Sequence, residues 1–225
     1  CCPSMRYAFF VLLLFAAGCA TRNEPVPAGT AGAATALFNG ADLTGWTAFL
    51  ADSTARMEDV WSVRPDSGIL VCKGEPWGYL RTEQDYDDYV LHVEWRWAPG
   101  TEPGNSGVFV KVAGPDRQWP RCVEAQLMHG REGDFVLMEG MPLDTAPERV
   151  HPEKAIIRQR SEDAANPPGQ WNTYDITVRG DSIVVVLNGR RVNEGAGAPA
   201  GPGGIALQSE GGEIHFRNVR ITPLG

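Results

Sequence analysis

Apolar and polar residues alternate with period two along most of the chain, and sustained helical periodicity is nearly absent. In "DYVLHVEWRW" the large apolar residues fall on one face of an extended segment, and the polar or smaller ones fall on the other. The first face carries Tyr89, Leu91, Val93, Trp95 and Trp97, and the second carries Val90, His92, Glu94 and Arg96. This pattern predicts a half-buried β-strand with an aromatic inner face.

Further short runs of the same kind are separated by Gly, Pro, Asn and Asp. We expect two strands around a turn in "VWSVRPDSGILVCKG", a strand in "GYLRT", two successive hairpins in "WNTYDITVRGDSIVVVLNGRRV" and a last hairpin in "GGIALQSEGGEIHFRNVRITPL". In "SGVFVKV" the three valines should share one face, opposite Phe109 and Lys111. Many short strands at this spacing predict an all-β sandwich or barrel.

The N-terminal segment is typical of an exported protein. A short basic start at Met5-Arg6 precedes the apolar run "YAFFVLLLFAAGC", which indicates a signal peptide over residues 1–18. Met5 is the expected initiator, so the assigned start lies four residues too early. "AAGC" resembles the bacterial lipoprotein processing box, with Ala16 in place of the usual Leu, so Cys19 is the expected lipidation site. Residues 19–36 read as a flexible tether. We therefore expect a bacterial lipoprotein on the periplasmic or cell-surface side of a membrane, which it contacts only through the lipid.

Charge and cysteine content restrict the possible partners. The net charge is −8, which argues against nucleic acid, because phosphate binding needs a basic surface. Of the five cysteines, Cys72 and Cys122 fall within the domain, where they form either a disulfide or two buried thiols. The sequence contains neither a zinc-like Cys/His spacing nor a dinucleotide-binding fingerprint.

A carboxylate and an amide lie side by side in "RCVEAQLMHG". Val123, Ala125 and Leu127 fall on one face of this predicted strand, whereas Glu124 and Gln126 fall on the other. The polar face is either solvated surface or the lining of a site.

The order of these motifs identifies a family. "LFNGADLTGW", "GYLRTEQDYDDYVLHVEWRW", "GNSGVFV", "CVEAQLMHGREGDF" and "GQWNTYDITVRGDSIVVVLNGRRVN" together resemble the 3-keto-disaccharide hydrolase family over roughly residues 37 to 224. The resemblance implies that residues 37–225 form a concanavalin A-like jelly roll, in which two curved antiparallel sheets pack together and one concave face binds sugar. It also implies cleavage of the glycosidic bond in sugars already oxidised at C3.

The chemistry of such a substrate defines the groups that the site needs. A ketone at C3 makes the C2 proton acidic, so a general base can form an enolate from which the C1 leaving group departs. We expect Glu124 to be the base and Gln126 to donate to a sugar oxygen. His129 is a candidate acid or partner of the base, and Glu210 is either a catalytic group beside the groove or a turn residue.

The remaining candidates each have a structural alternative. Glu94 and Arg96 either line the groove or pair across strands, and Lys73 and Arg160 either stabilise the enolate or lie exposed. Asn105 either contacts the ligand or only shapes a turn. Trp77 either stacks on the sugar or packs in the core. No cofactor is predicted, although the chemistry is compatible with a divalent metal. The substrate would come from a flavin- or nicotinamide-dependent sugar 3-dehydrogenase.

Two other functions are compatible with the residues. A laminarinase-like glycosidase needs two carboxyls, whereas Glu124-x-Gln126-x-x-His129 supplies one, and Glu94 or Glu210 would have to provide the second. A carbohydrate-binding module of lectin type would retain affinity for ordinary glycans after Glu124→Gln.

Overall fold

The structure is a computed structural model that describes residues 32–225, so the predicted signal peptide and Cys19 lie outside the described residues. Nearly all of the regular structure in this range is antiparallel β-sheet, arranged in two sheets. One four-residue α-helix, α1 (Met57–Val60), and two 3-10 turns, Pro65–Ser67 and Pro147–Arg149, interrupt the strands. In this part of the chain no helix has the length and apolar character needed to span a membrane.

The first sheet has eight strands. Their order is β13 (Arg190–Gly195), β12 (Ser182–Leu187), β11 (Asn172–Arg179), β6 (Tyr89–Trp97), β15 (Ile214–Pro223), β4 (Ile69–Cys72) and β3 (Trp61–Arg64), and β1 (Thr35–Ala36) also pairs with β15. The pairing of β1 shows that the end of the predicted tether, residues 35 and 36, belongs to the folded sheet.

The second sheet has seven strands. Their order is β10 (Ile157–Arg158), β9 (Phe135–Met138), β8 (Arg121–Gln126), β7 (Gly107–Ala113), β14 (Gly204–Ser209), β5 (Gly78–Thr82) and β2 (Trp46–Leu50). Packing of the two sheets gives a β-sandwich, which confirms the predicted all-β class.

The sandwich interior is built from the apolar faces that the alternation predicts. The five inward residues of β6 are all buried, and Val123, Ala125 and Leu127 are buried in the same cluster from the other sheet. Trp95 and Tyr174 meet edge to face with ring centroids 6.0 Å apart, a geometry that adds about 1 kcal/mol to the effect of burial. The interior therefore fixes which face of β8 points outward.

A second apolar cluster covers the outer face of the seven-stranded sheet. It contains Tyr79, Phe109, Val112, Cys122, Met138 and Ala206, with Phe49, Trp119 and Val136 packed against them. Val112 belongs to this cluster and not to the face of Val108 and Val110, so its predicted position is wrong. The pairing of β7 with β8 shifts register after Val110, and Lys111 adopts a positive φ of 54°, which reverses the side-chain alternation.

The predicted last hairpin is also wrong. β14 lies in the seven-stranded sheet and β15 in the eight-stranded sheet, so the intervening segment crosses from one sheet to the other. Gly211 and Gly212 make the crossing with positive φ values of 100° and 84°. Paired glycines permit a tight hairpin and a crossing equally well, because both need the left-handed region.

Both cysteines of the domain are free and buried, so the two-thiol alternative is correct. The Cys122 thiol contacts the Met138 sulfur at 3.7 Å, and the Cys72 thiol faces the Gln208 carbonyl. Burial raises the pKa of the Cys72 thiol to about 12.

Three loops meet in close backbone contact at one end of the second sheet. The Asn105 amide donates to the Gly211 carbonyl, and the Gly211 amide donates to the Gly74 carbonyl. A Cβ on Gly104 would lie 2.0 Å from the Gly211 oxygen, so a side chain cannot be added there without moving backbone.

Replacement of Gly104 by alanine should therefore separate the loops that carry Asn105 and Glu210. We expect the free energy of unfolding to fall by about 2 kcal/mol or more, as measured by chemical denaturation. Gly32→Ala is the control, because its added Cβ would make ordinary contacts of 3.5 Å or more with Pro223. Equal stability of the Gly104 and Gly32 variants would contradict this account of the loop junction.

Candidate active site

A cavity of about 480 Å³ opens on the outer face of the second sheet. One part of its lining is polar, with Asn105, Glu124, Gln126 and Glu210, and the other part is largely apolar. The remaining lining residues are Trp119, Met128, Val136, Leu137, Met138, Glu139, Gly140, Lys154, Ile156 and Ile157. Four of the residues predicted from the sequence thus meet at one site.

Glu124 is held in the middle of β8, between Phe109 on β7 and Val136 on β9. It is 2% exposed, and its Oε1 has no hydrogen-bond partner among the described residues. Burial raises the pKa of its carboxyl well above the usual range, and the nearby Glu210 raises it further. Burial therefore favours the neutral form of the Glu124 carboxyl.

Room for this carboxyl comes from a glycine on the neighbouring strand. A Cβ on Gly107 would lie 2.1 Å from Glu124 Oε1, so even a methyl group would displace the acid. The pairing of Gly107 with Gln126 places this gap beside the Glu124 side chain.

Glu210 follows β14 and has a different environment. Its Oε2 accepts hydrogen bonds of 2.7 Å from Asn105 Nδ2 and from Gln208 Nε2. Partial burial raises the pKa of Glu210 to about 7, with a smaller contribution from Glu75, while the two amide donors oppose this rise. Glu210 is consequently an acid that ionises near neutral pH.

Two carboxyls with separated pKa values therefore face one cavity. Polar atoms around them are left without partners in the described chain, since Asn105 Oδ1 and Gln208 Oε1 are buried and unpaired like Glu124 Oε1. Unpaired buried polar atoms are costly in a folded protein, and their concentration at one place is typical of a site that binds a polar ligand.

Gln126 is partly committed to the local backbone. Its Oε1 accepts from the amides of Leu127 and Met128, both at 3.0 Å, where the chain leaves β8. These bonds fix the side chain and direct its amide N–H groups to the cavity that it lines.

His129 and Arg160 lie outside the lining of the cavity. The His129 ring is half exposed and contacts Glu132, 3.3 Å from Nδ1 to Oε1. Arg160 donates to the Gly130 carbonyl at 2.8 Å and lies 3.5 Å from Asp163. Both side chains are thus held by their local loops, away from the carboxyl pair.

Glu94 and Arg96 do not line the cavity with Glu124, and for Glu94 the alternative of pairing across strands is correct. Both residues lie on β6, which belongs to the eight-stranded sheet, whereas Glu124 lies in the seven-stranded sheet. Period-two alternation gave their outward direction but not the sheet to which their strand belongs. Glu94 accepts from Arg217 and Asn218, whereas the Arg96 guanidinium stacks on Trp171 at 4.5 Å.

Lys73 and Trp77 lie on the connection between β4 and β5. Lys73 is exposed and donates to the Asp59 carbonyl, so it does not reach the enolate position that was predicted for it. Trp77 is 39% exposed, donates to Glu75 and stands 6.0 Å from the ring of Trp119, which lines the cavity. It is therefore a rim residue and not part of the core.

Several members of the site were not predicted from the sequence. Gln208 lies one alternation step before Glu210 in "LQSEGG", so the pattern did place both side chains on one face. Trp119 and Lys154 come from loops, and no periodicity indicates where a loop residue points. Within residues 32–225 no group of three or more His, Cys, Asp or Glu side chains is arranged to hold a metal ion.

Residues 33–222 match the 3-keto-alpha-glucoside-1,2-lyase-like domain, and the chain belongs to this family. A search of the curated proteins found no match to the sequence.

Several solved structures are similar in fold. A protein of Parabacteroides distasonis that has been proposed to be a glycosyl hydrolase is 22% identical, with a TM-score of 0.62 over 85% of this chain and 94% of that one. The Bacillus licheniformis beta-glucanase is 16% identical, with a TM-score of 0.55 over 86% of this chain and 99% of the glucanase. The carbohydrate-binding module CBM66 of Bacillus subtilis is 12% identical, with a TM-score of 0.55 over 78% of this chain and 94% of the module. These likenesses confirm the jelly-roll architecture.

The buried Glu124 should make stability depend on pH. Its pKa is higher in the folded than in the unfolded chain, so the stabilisation is present at low pH and is lost as pH rises through the folded-state value. Each such group contributes a slope of up to about 1.4 kcal/mol per pH unit. Glu124→Gln should therefore flatten the decline in unfolding free energy that begins above the unfolded-state pKa of a glutamate, about 4.3.

Denaturant unfolding at several pH values measures this slope. Glu58→Gln, at an exposed position of α1, is the control and should leave the slope unchanged. A slope that is the same in wild type and in Glu124→Gln would show that the Glu124 carboxyl ionises as readily in the folded chain as in water.

Proposed function

We propose that this protein cleaves 3-keto glycosides by removal of the C2 proton, elimination of the C1 substituent and addition of water. The observation that carries this proposal is the pair of carboxyls in one cavity. Burial raises the pKa of Glu124 well above its usual range, whereas the pKa of the partly buried Glu210 is raised to about 7. The family description, a lyase-like domain for 3-keto-alpha-glucosides, supports the same reaction.

Glu210 is the base in this proposal, in place of the Glu124 predicted from the sequence. A base must be ionised at working pH, and a pKa of about 7 is well suited to accept a carbon-bound proton near neutrality. Asn105 and Gln208 hold Glu210 Oε2, so Oε1 is the oxygen available for the proton. Burial favours the neutral form of Glu124, which makes it the poorer proton acceptor of the two.

Glu124 instead serves as a hydrogen-bond donor to the C3 oxygen. As the C2–H bond breaks, its electron pair forms the C2–C3 double bond and negative charge develops on that oxygen. A neutral carboxylic acid in an apolar setting is a strong donor to such an enolate, because water does not compete with it. The apolar cluster around Phe109 and Cys122 supplies this setting.

Elimination and hydration complete the reaction. The enolate re-forms the C3 carbonyl, a C1–C2 double bond appears, and the C1–O bond breaks with its electrons on the departing oxygen, which takes the proton from Glu210. Glu210 then accepts a proton from the water that adds to C1 and returns it to C2. The sum is one water consumed, with a free 3-keto sugar and the alcohol as products.

Other cavity groups position the sugar. The Gln126 amide donates to a sugar oxygen, and Asn105 Oδ1, which has no partner among the described residues, accepts from a hydroxyl group. Lys154 is the lysine among the lining residues, and it can balance the charge that forms during the reaction.

The test is cleavage of a 3-keto glucoside by purified protein, run with and without a chelator so that metal dependence is read in the same assay. Glu210→Gln should lower kcat/KM by about 100-fold or more, and the wild-type rate should fall as pH drops through about 7, because protonation removes the base. Glu83→Gln, at an exposed position after β5, is the matched control.

Absence of cleavage with and without divalent metal would overturn the proposed reaction. Full activity of Glu210→Gln would overturn the assignment of the base. The acidic limb of the pH profile should disappear in any residual activity of this variant, since no other group in the scheme ionises there.

A conventional glycosidase is the second candidate, because hydrolysis of unoxidised glycosides also uses one protonated and one ionised carboxyl group as catalytic residues. Turnover of an unoxidised glucoside at a rate comparable with its 3-keto form would favour it. Binding of a glycan without turnover of either form, retained in Glu124→Gln, would favour a carbohydrate-binding module.

Export, lipid attachment at Cys19 and supply of substrate by a sugar 3-dehydrogenase remain part of the proposal. The first two are predictions from the N-terminal sequence pattern. The third follows from the chemistry, since this reaction requires a C3 ketone that another enzyme must introduce.

A further inference from the structure

Exposed apolar side chains are concentrated at the mouth of the cavity. In the described part of the chain four large apolar residues are exposed: Trp77 at 39%, Met128 at 44%, Val150 at 38% and Ile156 at 54%. Met128 and Ile156 line the cavity directly, and Trp77 packs against Trp119, which also lines it. We call the set of Trp77, Trp119, Met128 and Ile156 the apolar collar; Val150 does not line the cavity and is not part of it.

The collar comes from four separate segments around the carboxyl pair, and Trp119 lies on the connection between β7 and β8. Trp77 lies on the connection into β5, Met128 directly follows β8, and Ile156 precedes β10, where its carbonyl accepts from the Leu137 amide. The cavity continues inward from the collar over Val136 and Met138 to Glu124. The collar and the carboxyls are therefore two parts of one continuous site.

The composition of the collar argues against a second sugar as its occupant. A Trp ring can stack on a sugar face, but the Met and Ile side chains offer no hydrogen bond to the hydroxyls that project from every side of a hexose. Contact between this apolar surface and an apolar ligand is favourable, because both are removed from water. A flat, largely carbon-based group satisfies Met, Ile and Trp alike.

We propose that the collar binds the leaving group of the substrate and that this group is an apolar, aryl aglycone. The inference rests on the proposed function, because that function places the oxidised sugar at Glu124 and Glu210 and so leaves the collar to the C1 substituent. The protein is then selective for 3-keto aryl glucosides over 3-keto disaccharides.

The experiment compares two substrates with the same oxidised sugar, 3-keto phenyl glucoside and 3-keto-trehalose, in wild type and in collar variants. Using the change in kcat/KM on mutation cancels the intrinsic difference between the leaving groups. Trp77→Ala and Ile156→Thr should each lower kcat/KM for the phenyl substrate by about 5-fold to 20-fold and alter the trehalose substrate by less than about 2-fold.

Val150→Thr is the matched control for Ile156→Thr. Val150 is also exposed, at 38% against 54% for Ile156, and it is not among the cavity-lining residues, so this exchange of a methyl group for a hydroxyl should leave both substrates unaffected. Equal losses for the two substrates in the collar variants would overturn the aglycone inference while the proposed reaction stands.

Calorimetric binding of unoxidised phenyl glucoside separates the two proposals when neither 3-keto substrate is cleaved. If the protein binds phenyl glucoside more tightly than trehalose and loses this affinity in Trp77→Ala, the aryl subsite is supported although the proposed reaction is not. Equal affinity for phenyl glucoside and trehalose would overturn the aglycone inference together with the proposed reaction. Sedimentation of wild type is the last arm: a dimer that dissociates in the collar variants would assign the collar to a second copy of the chain and overturn the inference.

Discussion

The chemistry of this site depends on the burial of one carboxyl on the outside of a sheet. Glu124 would be solvated at most outward positions of a β-sandwich, but here apolar side chains of the neighbouring strands remove it from water. Its charge is then unfavourable and the neutral acid prevails. Because Glu210 lies close by in a partly exposed and amide-bound position, the pKa values of the two acids are raised to different extents, which is the difference that the proposed reaction uses.

The rest of the fold maintains this difference. The sandwich interior fixes β8 so that Glu124 and Gln126 face outward, and Gly107 leaves the space that the carboxyl occupies. The crossing at Gly211 and Gly212 brings the end of β14 to the same cavity, where Asn105 holds Glu210. A site assembled from separate strands and loops thus depends on a few backbone contacts that tolerate only glycine.

Alternation of residue types was sufficient to predict the fold class and the faces of individual strands. It placed Glu124 and Gln126 opposite the core correctly, since period two is a local property of the backbone. It could not assign strands to sheets, which is why Glu94 and Arg96 on β6 were expected beside Glu124 although they lie in the other layer. The Gly pair after Glu210 likewise carried no information on whether the chain turns or crosses.

The roles of the two acids could not be predicted from the sequence for a related reason. A residue type does not disclose its degree of burial, and burial decides which acid keeps its proton. Infrared spectroscopy of the folded protein tests this claim most directly, through the carbonyl stretch of a protonated carboxylic acid at about pH 8, where Glu210, with a pKa of about 7, is mostly ionised. We expect that band in wild type and its loss in Glu124→Gln. A wild-type spectrum without the band, or one in which Glu124→Gln leaves it intact, would contradict the account.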